Sequence, residues 1–265
     1  MKLAVKILLY TLYFALFAGA VVLMAFAQNK HTRKRYTGLE VNIRYIDNDK
    51  LVDASDVKSM IRGKYGKIEQ LYIGELGQPE VLKLLKTNPY LNEINIKTSV
   101  EGLYQVSATQ VNPKVRLIDA TGRQCFVDEK GHAFPVSSRY IVELPLVTGN
   151  LFIPANASGD LNEIASKNPT LQSVGNTLGA IHIASAISSD SIMSALIAQI
   201  DVSPSGSVNL FTKFDKLNIV FGDSTDSSEK LGNLKAFLKT AINSNSLSKY
   251  FKINLQYKNQ VVCSK

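Results

Sequence analysis

The chain has 265 residues, 45% of them hydrophobic, and a formal net charge of +8. Residues 1–35 carry six of the 30 Lys and Arg and no Asp or Glu, leaving 24 basic against 22 acidic side chains in the remainder. The later part is close to neutral and has no basic run interleaved with aromatics, which argues against a nucleic-acid partner and confines the charge signal to the first segment.

That segment contains the longest apolar run, Ile7 to Ala27, with 21 positions and no charge. As one helix rising ~1.5 Å per residue it would reach ~30 Å, the hydrocarbon thickness of a bilayer. Residues 7–27 are therefore expected to form a single transmembrane helix, with residues 1–6 as a tail and residues 28–38 as a polar juxtamembrane linker. Ala25-Phe26-Ala27 before Gln28 has the small-residue form of a signal-peptide cleavage site. The run exceeds the usual apolar stretch of ~7–15 residues in such peptides, which favours a retained anchor. Lys2 and Lys6 precede the run, whereas Lys30, Arg33, Lys34 and Arg35 follow it. By charge alone, the positive-inside bias would place the large part in the cytoplasm.

A folded α+β unit is expected next. Leu39, Val41, Ile43 and Tyr45 alternate with mostly polar residues, the period of a strand with one buried face, until Asp47-Asn48-Asp49 breaks it. Ser55 can cap a short helix carrying Val57, Met60 and Ile61, and Pro79 opens a second helix with Val81, Leu82, Leu84 and Leu85. Strand patterns follow over Leu91 to Thr98 and Leu103 to Val111, joined by a turn at Val100-Glu101-Gly102. Strand, helix, helix, strand, strand in this order places two helices over one face of a small sheet.

Beyond Pro113 short β-prone runs dominate, at Val115 to Ile118, Cys125 to Asp128 and Ile141 to Pro145, and they predict a β-rich second domain. Helices are expected around Ser191 to Ile200 and from Ser228 to Ile242, with strands at Val208 to Thr212 and Leu217 to Phe221 between them. Phe251, Ile253, Leu255 and Tyr257 alternate before Val261-Val262, so a strand is expected from Tyr250 to Val262. Cys125 and Cys263 lack paired CxxC spacing and read as buried thiols or as one disulfide.

Several local motifs, in order, resemble the bacterial FtsQ/DivIB cell-division family. They are Asn88-Pro89-Tyr90-Leu91 before the first hairpin, Asn112-Pro113 at the exit of the first domain, and Asp128-Glu129-Lys130-Gly131-His132-Ala133-Phe134 followed by Leu144-Pro145-Leu146-Val147-Thr148-Gly149. Val220-Phe221-Gly222, then Lys230-Leu231, then Ile253-Asn254-Leu255-Gln256-Tyr257 complete the set. Gln110 stands where the family usually carries Glu, and Asn254 and Gln256 replace charged residues of the closing strand. The resemblance implies a POTRA domain over 39–112 and a C-terminal β domain over 113–265. It also implies an N-terminus inside, soluble domains in the periplasm, a single-pass protein of the inner membrane, and enrichment at the septum.

Catalytic signals are thin. His31, His132 and His182 lack ligand spacing, and Gly222-Asp223-Ser224-Thr225 lacks the second Gly and the Lys of a phosphate loop. No enzyme activity, cofactor or metal is expected. A closing strand at a sheet edge could instead accept a partner strand through its backbone. The resemblance implies partners of the FtsB and FtsL type, with Tyr257, Leu255, Tyr250 and Lys258 as candidate interface residues. A POTRA-bearing export or outer-membrane assembly factor is the alternative, although no array of amphipathic membrane strands follows.

Overall fold

The computed structural model describes residues 10, 12–24, 34–46, 49–140, 142–213, 217–258 and 260–265. The tail 1–6, Lys30, His31, Arg33, the Asp47-Asn48 break and Ile141 lie outside the described residues. Residues 12–24 are helical (α1) and exposed. The expected single transmembrane helix over Ile7 to Ala27 is corrected here, because among the described residues no helix is long and apolar enough to cross a membrane. Residues 7–9, 11 and 25–27 of the run lie outside the described residues.

Two compact units make up the fold, one of Met1–Arg44 and Val52–Gln110, the other of Tyr45–Leu51 and Val111–Lys265. The first contains β1 (Gly38–Arg44), α2 (Ala54–Tyr65), α3 (Gln78–Leu85), β2 (Leu91–Thr98) and β3 (Leu103–Gln110). Its sheet runs β1-β3-β2, with β1 parallel and β2 antiparallel to the central β3. Val41, Val57, Ile61, Val81, Leu85, Tyr104 and Val106 form one buried cluster, so both helices cover the same sheet face. The other face is polar: Arg44 Nη2 donates to Glu93 at 2.7 Å and to the Thr109 hydroxyl at 3.0 Å, and Gln105 donates to Glu40 at 2.7 Å.

Helix α2 starts on a different residue from the one expected. Asp53, not Ser55, is the cap: its carboxylate accepts from the N–H groups of Ser55 and Asp56, and Asp56 accepts in return from Asp53 N–H at 2.9 Å. This reciprocal arrangement satisfies two of the orphan donors of the first turn. Part of the expected linker is also structured. Tyr36 is buried, and its N–H donates to Leu71 at 3.0 Å. The phenol oxygens of Tyr65 and Tyr104 are buried with no hydrogen-bond partner among the described residues. Burial pushes the Tyr104 phenol far up, with Tyr36, Tyr65 and Glu80 adding to the effect.

The second unit holds β4 (Pro113–Asp119), β5 (Gln124–Asp128), β6 (His132–Phe134), β7 (Leu146–Gly149), β8 (Gly159–Asp160), α4 (Leu161–Lys167), α5 (Gln172–Ser188) and α6 (Ser191–Leu196). After these come β9 (Ile197–Val202), β10 (Val208–Thr212), β11 (Asn218–Gly222), α7 (Ser227–Asn243), β12 (Lys252–Asn254) and β13 (Val262–Ser264). All ten strands form one sheet in the order β13-β12-β11-β10-β9-β7-β4-β5-β6-β8. Strand residues Val115, Val147, Ile200, Leu210, Ile219 and Ile253 share one buried cluster with Ile183 and Ile187 of α5 and Leu234 and Leu238 of α7. The helices therefore line a single face, and the unit is a two-layer α+β fold.

Three expectations in this unit change. The strand expected at Ile141 to Pro145 forms later, at β7. The helix expected over Ser191 to Ile200 ends at Leu196, and Ile197 begins β9. The closing strand from Tyr250 to Val262 is two short strands, β12 and β13, paired antiparallel.

Candidate partner-binding edge

Strand β12 is fixed by its neighbours on both sides. It pairs in parallel with β11, Ile219 opposite Ile253, and α7 supplies the crossover that a parallel pair requires. Leu255 N–H extends the ladder by donating to Val220 at 2.9 Å. Immediately afterwards the Asn254 side chain accepts from Gln256 N–H at 2.9 Å, an Asx turn that ends the strand. Extended alternation thus stops before Tyr257.

The four candidate residues divide by environment. Leu255 is buried at 2% exposure and belongs to the core cluster, so its side chain packs inward. Tyr250 is half-buried and meets the Phe237 ring edge-on at 5.6 Å. Tyr257 is 55% exposed and Lys258 is exposed, and of the four only these two present their side chains to solvent. Phe251, at 52%, is another exposed aromatic near this edge, one that alternation alone would have placed on the buried face with Ile253.

Tyr257 and Lys258 border a small recess of about 130 Å³ that also involves Asp223, Asp226, Glu229 and Lys230 at the start of α7. Lys230 forms its wall. The ammonium donates to the Asp223 carboxylate at 2.7 Å and to its carbonyl at 3.0 Å, and it sits 5.4 Å from the centroid of the buried Phe221 ring. The Lys230 bond is the main cause that holds the Asp223 carboxyl below its ordinary range, with the Thr225 hydroxyl helping. Gly222 holds φ 83, a left-handed backbone that favours glycine, and a Cβ there would come 2.8 Å from Cγ of the exposed Gln256 side chain, which would have to move. The Gly of the Val220-Phe221-Gly222 motif therefore supplies the left-handed backbone at the end of β11.

The remaining candidates sit elsewhere. His132 Nδ1 lies 3.0 Å from Asp128 and Nε2 lies 3.7 Å from Asp160, at the opposite end of the sheet. His182 is exposed on α5 and lines an open groove with Lys130, Asn162 and Leu178. Cys125 and Cys263 are both free, and burial pushes the Cys125 thiol up to about 12. Among the described residues no group of three His, Cys, Asp or Glu is placed to hold a metal. Sequence reasoning missed β13, which covers β12. Three residues carry no periodicity to reveal it.

The model of a protein family described as FtsQ/DivIB, C-terminal related, matches residues 112–264, more than half of the chain. No curated protein matches it.

Proposed function

Starting from a chain that belongs to the FtsQ/DivIB C-terminal-related family, a family of non-enzymatic cell-division proteins, we propose a division-site scaffold that binds FtsB- and FtsL-type partners. In this reading it links early division components to late septal wall synthesis. Residues 39–112 serve as a POTRA domain open to further division proteins, and residues 113–265 serve as the docking domain.

The observation that carries the reading is the placing of exposed Tyr257 and Lys258 between β12 and β13, at the β13-β12 end of the ten-stranded sheet. An extended partner segment gains affinity from backbone hydrogen bonds and selectivity from its alternate side chains. An exposed tyrosine beside such an edge suits an anchor, because its ring covers much area at low entropic cost. Tyr257 and Lys258 are assigned as contact residues, and Leu255 and Tyr250 hold the strand from behind. The test is titration of the full chain with an FtsB-type peptide. Tyr257→Ala combined with Lys258→Glu is expected to weaken binding tenfold or more, and unchanged affinity in a folded variant would sink the assignment.

A further inference from the structure

The edge assigned to a partner is occupied. Val262–Ser264 already lie along β12, with Ser264 opposite Lys252, Cys263 opposite Ile253 and Val262 opposite Asn254. The other side of β12 is taken by β11. We propose that β13 is a displaceable cover, a segment of the chain held where an extended partner segment would run antiparallel to β12. This presupposes that a partner docks at this edge.

The cover is lightly held. It makes three residue pairs with β12, as β11 does on the other side, and differs from β11 in burial. None of its three side chains is buried: Cys263 and Ser264 are half-buried and Val262 is exposed. Val261 and Cys263 reach only the margin of the core. Short edge segments with little buried apolar surface open at the low end of a protein's stability range.

What lies beneath is held independently of it. Ile253 and Leu255 are core residues, and β11 bonds β12 from the far side. Departure of β13 would therefore leave an ordered row of unpaired backbone groups, which is both a docking template and an aggregation hazard. Occupation by the chain itself protects that row until a partner arrives. The niche left by Cys263, opposite Ile253, suits a small or β-branched apolar side chain, with extended backbone on either side.

The probe is a fluorescein-labelled peptide with the sequence of residues 260–265 and Ser in place of Cys263, followed by anisotropy on the full chain. Val262→Pro disfavours the paired strand and is expected to raise peptide affinity at least tenfold over the unsubstituted chain. A second chain carries Lys252→Cys and Ser264→Cys with Cys263→Ser. Opposed residues of antiparallel strands have Cα atoms about 4.5–5.5 Å apart, within disulfide reach. Its oxidised form is expected to bind no peptide and its reduced form to regain binding. If the oxidised chain binds as well as the reduced one, the peptide adds outside β13 and the proposal is overturned. Equal binding by a folded Val262→Pro variant and the unsubstituted chain also overturns it. The peptide involves no division protein, so loss of partner recruitment with this behaviour intact would count against the scaffold reading alone.

Discussion

Asp119 at the end of β4 is buried, and burial acts to raise its carboxyl. Donors from the Thr121 hydroxyl, the Arg123 side chain and the N–H groups of both residues outweigh this and hold it below the ordinary carboxylate range. Thr121 N–H reaches Oδ1 at 2.9 Å, and Arg123 Nε reaches Oδ2 at 2.8 Å. With the folded pKa below the unfolded one, the unfolded chain takes up the proton first as pH falls. The stabilisation is thus complete above about pH 4 and lost as pH drops through the lower folded value. Asp119→Ala strands the turn donors and is expected to cost about 1–3 kcal/mol at pH 7. Urea unfolding at pH 7 and pH 3 measures this, and a difference that stays the same at both pH values contradicts it. The Asp was visible in the sequence, but the four donors around it depend on the turn closing back on itself. The same limit applies at Leu255 and Tyr257: alternation puts both on one face, and only the Asx turn after Asn254 separates the inward leucine from the exposed tyrosine.

Among the elements, β7 shows why one motif ends in glycine. Gly149 has φ 107, and a Cβ there would stand 2.1 Å from the Val202 carbonyl oxygen, because β7 pairs with β9 at that point. Gly149→Ala therefore meets both a strained backbone and a collision with main chain that cannot swing aside. The expected loss is above about 2 kcal/mol, or failure to accumulate folded protein. Denaturant midpoints read it, and a midpoint equal to that of the unsubstituted chain would refute the account. Other elements show where local reading stops. Helix α5 carries buried Val174, Thr177, Ala180, Ile181, Ile183, Ala184 and Ile187, a broad apolar face interrupted by Gly175 and Gly179, and it presents no narrow stripe to recognise. The run from Ser191 fits a helix throughout, yet Ile197, Ile200 and Val202 are claimed by β9, whose pairing with β7 and β10 overrides local propensity.

For the whole molecule, membership of a division family makes cellular behaviour the decisive measurement. A fluorescent fusion of the full chain is expected to gather in midcell bands, and its depletion to give filamentous cells. A uniform signal with normal cell length would exclude the scaffold role. Much of this level was legible beforehand: the strand, helix, helix, strand, strand order of the first unit and the β-rich character of the second follow from periodicity, turn residues and spacing, and the ordered motifs carried the resemblance to the family. The expected membrane helix is not borne out, since an uncharged run sets only a potential length and among the described residues no helix is long and apolar enough to cross a membrane. The sequence by itself determined which residues favour helix, strand or turn, and with their order the family. The tertiary structure alone decided which strands became neighbours, that β13 lies over β12, and which of two alternating residues faces water. Those outcomes rest on hydrogen bonds between backbone groups far apart in the chain, and local side-chain patterns do not encode them.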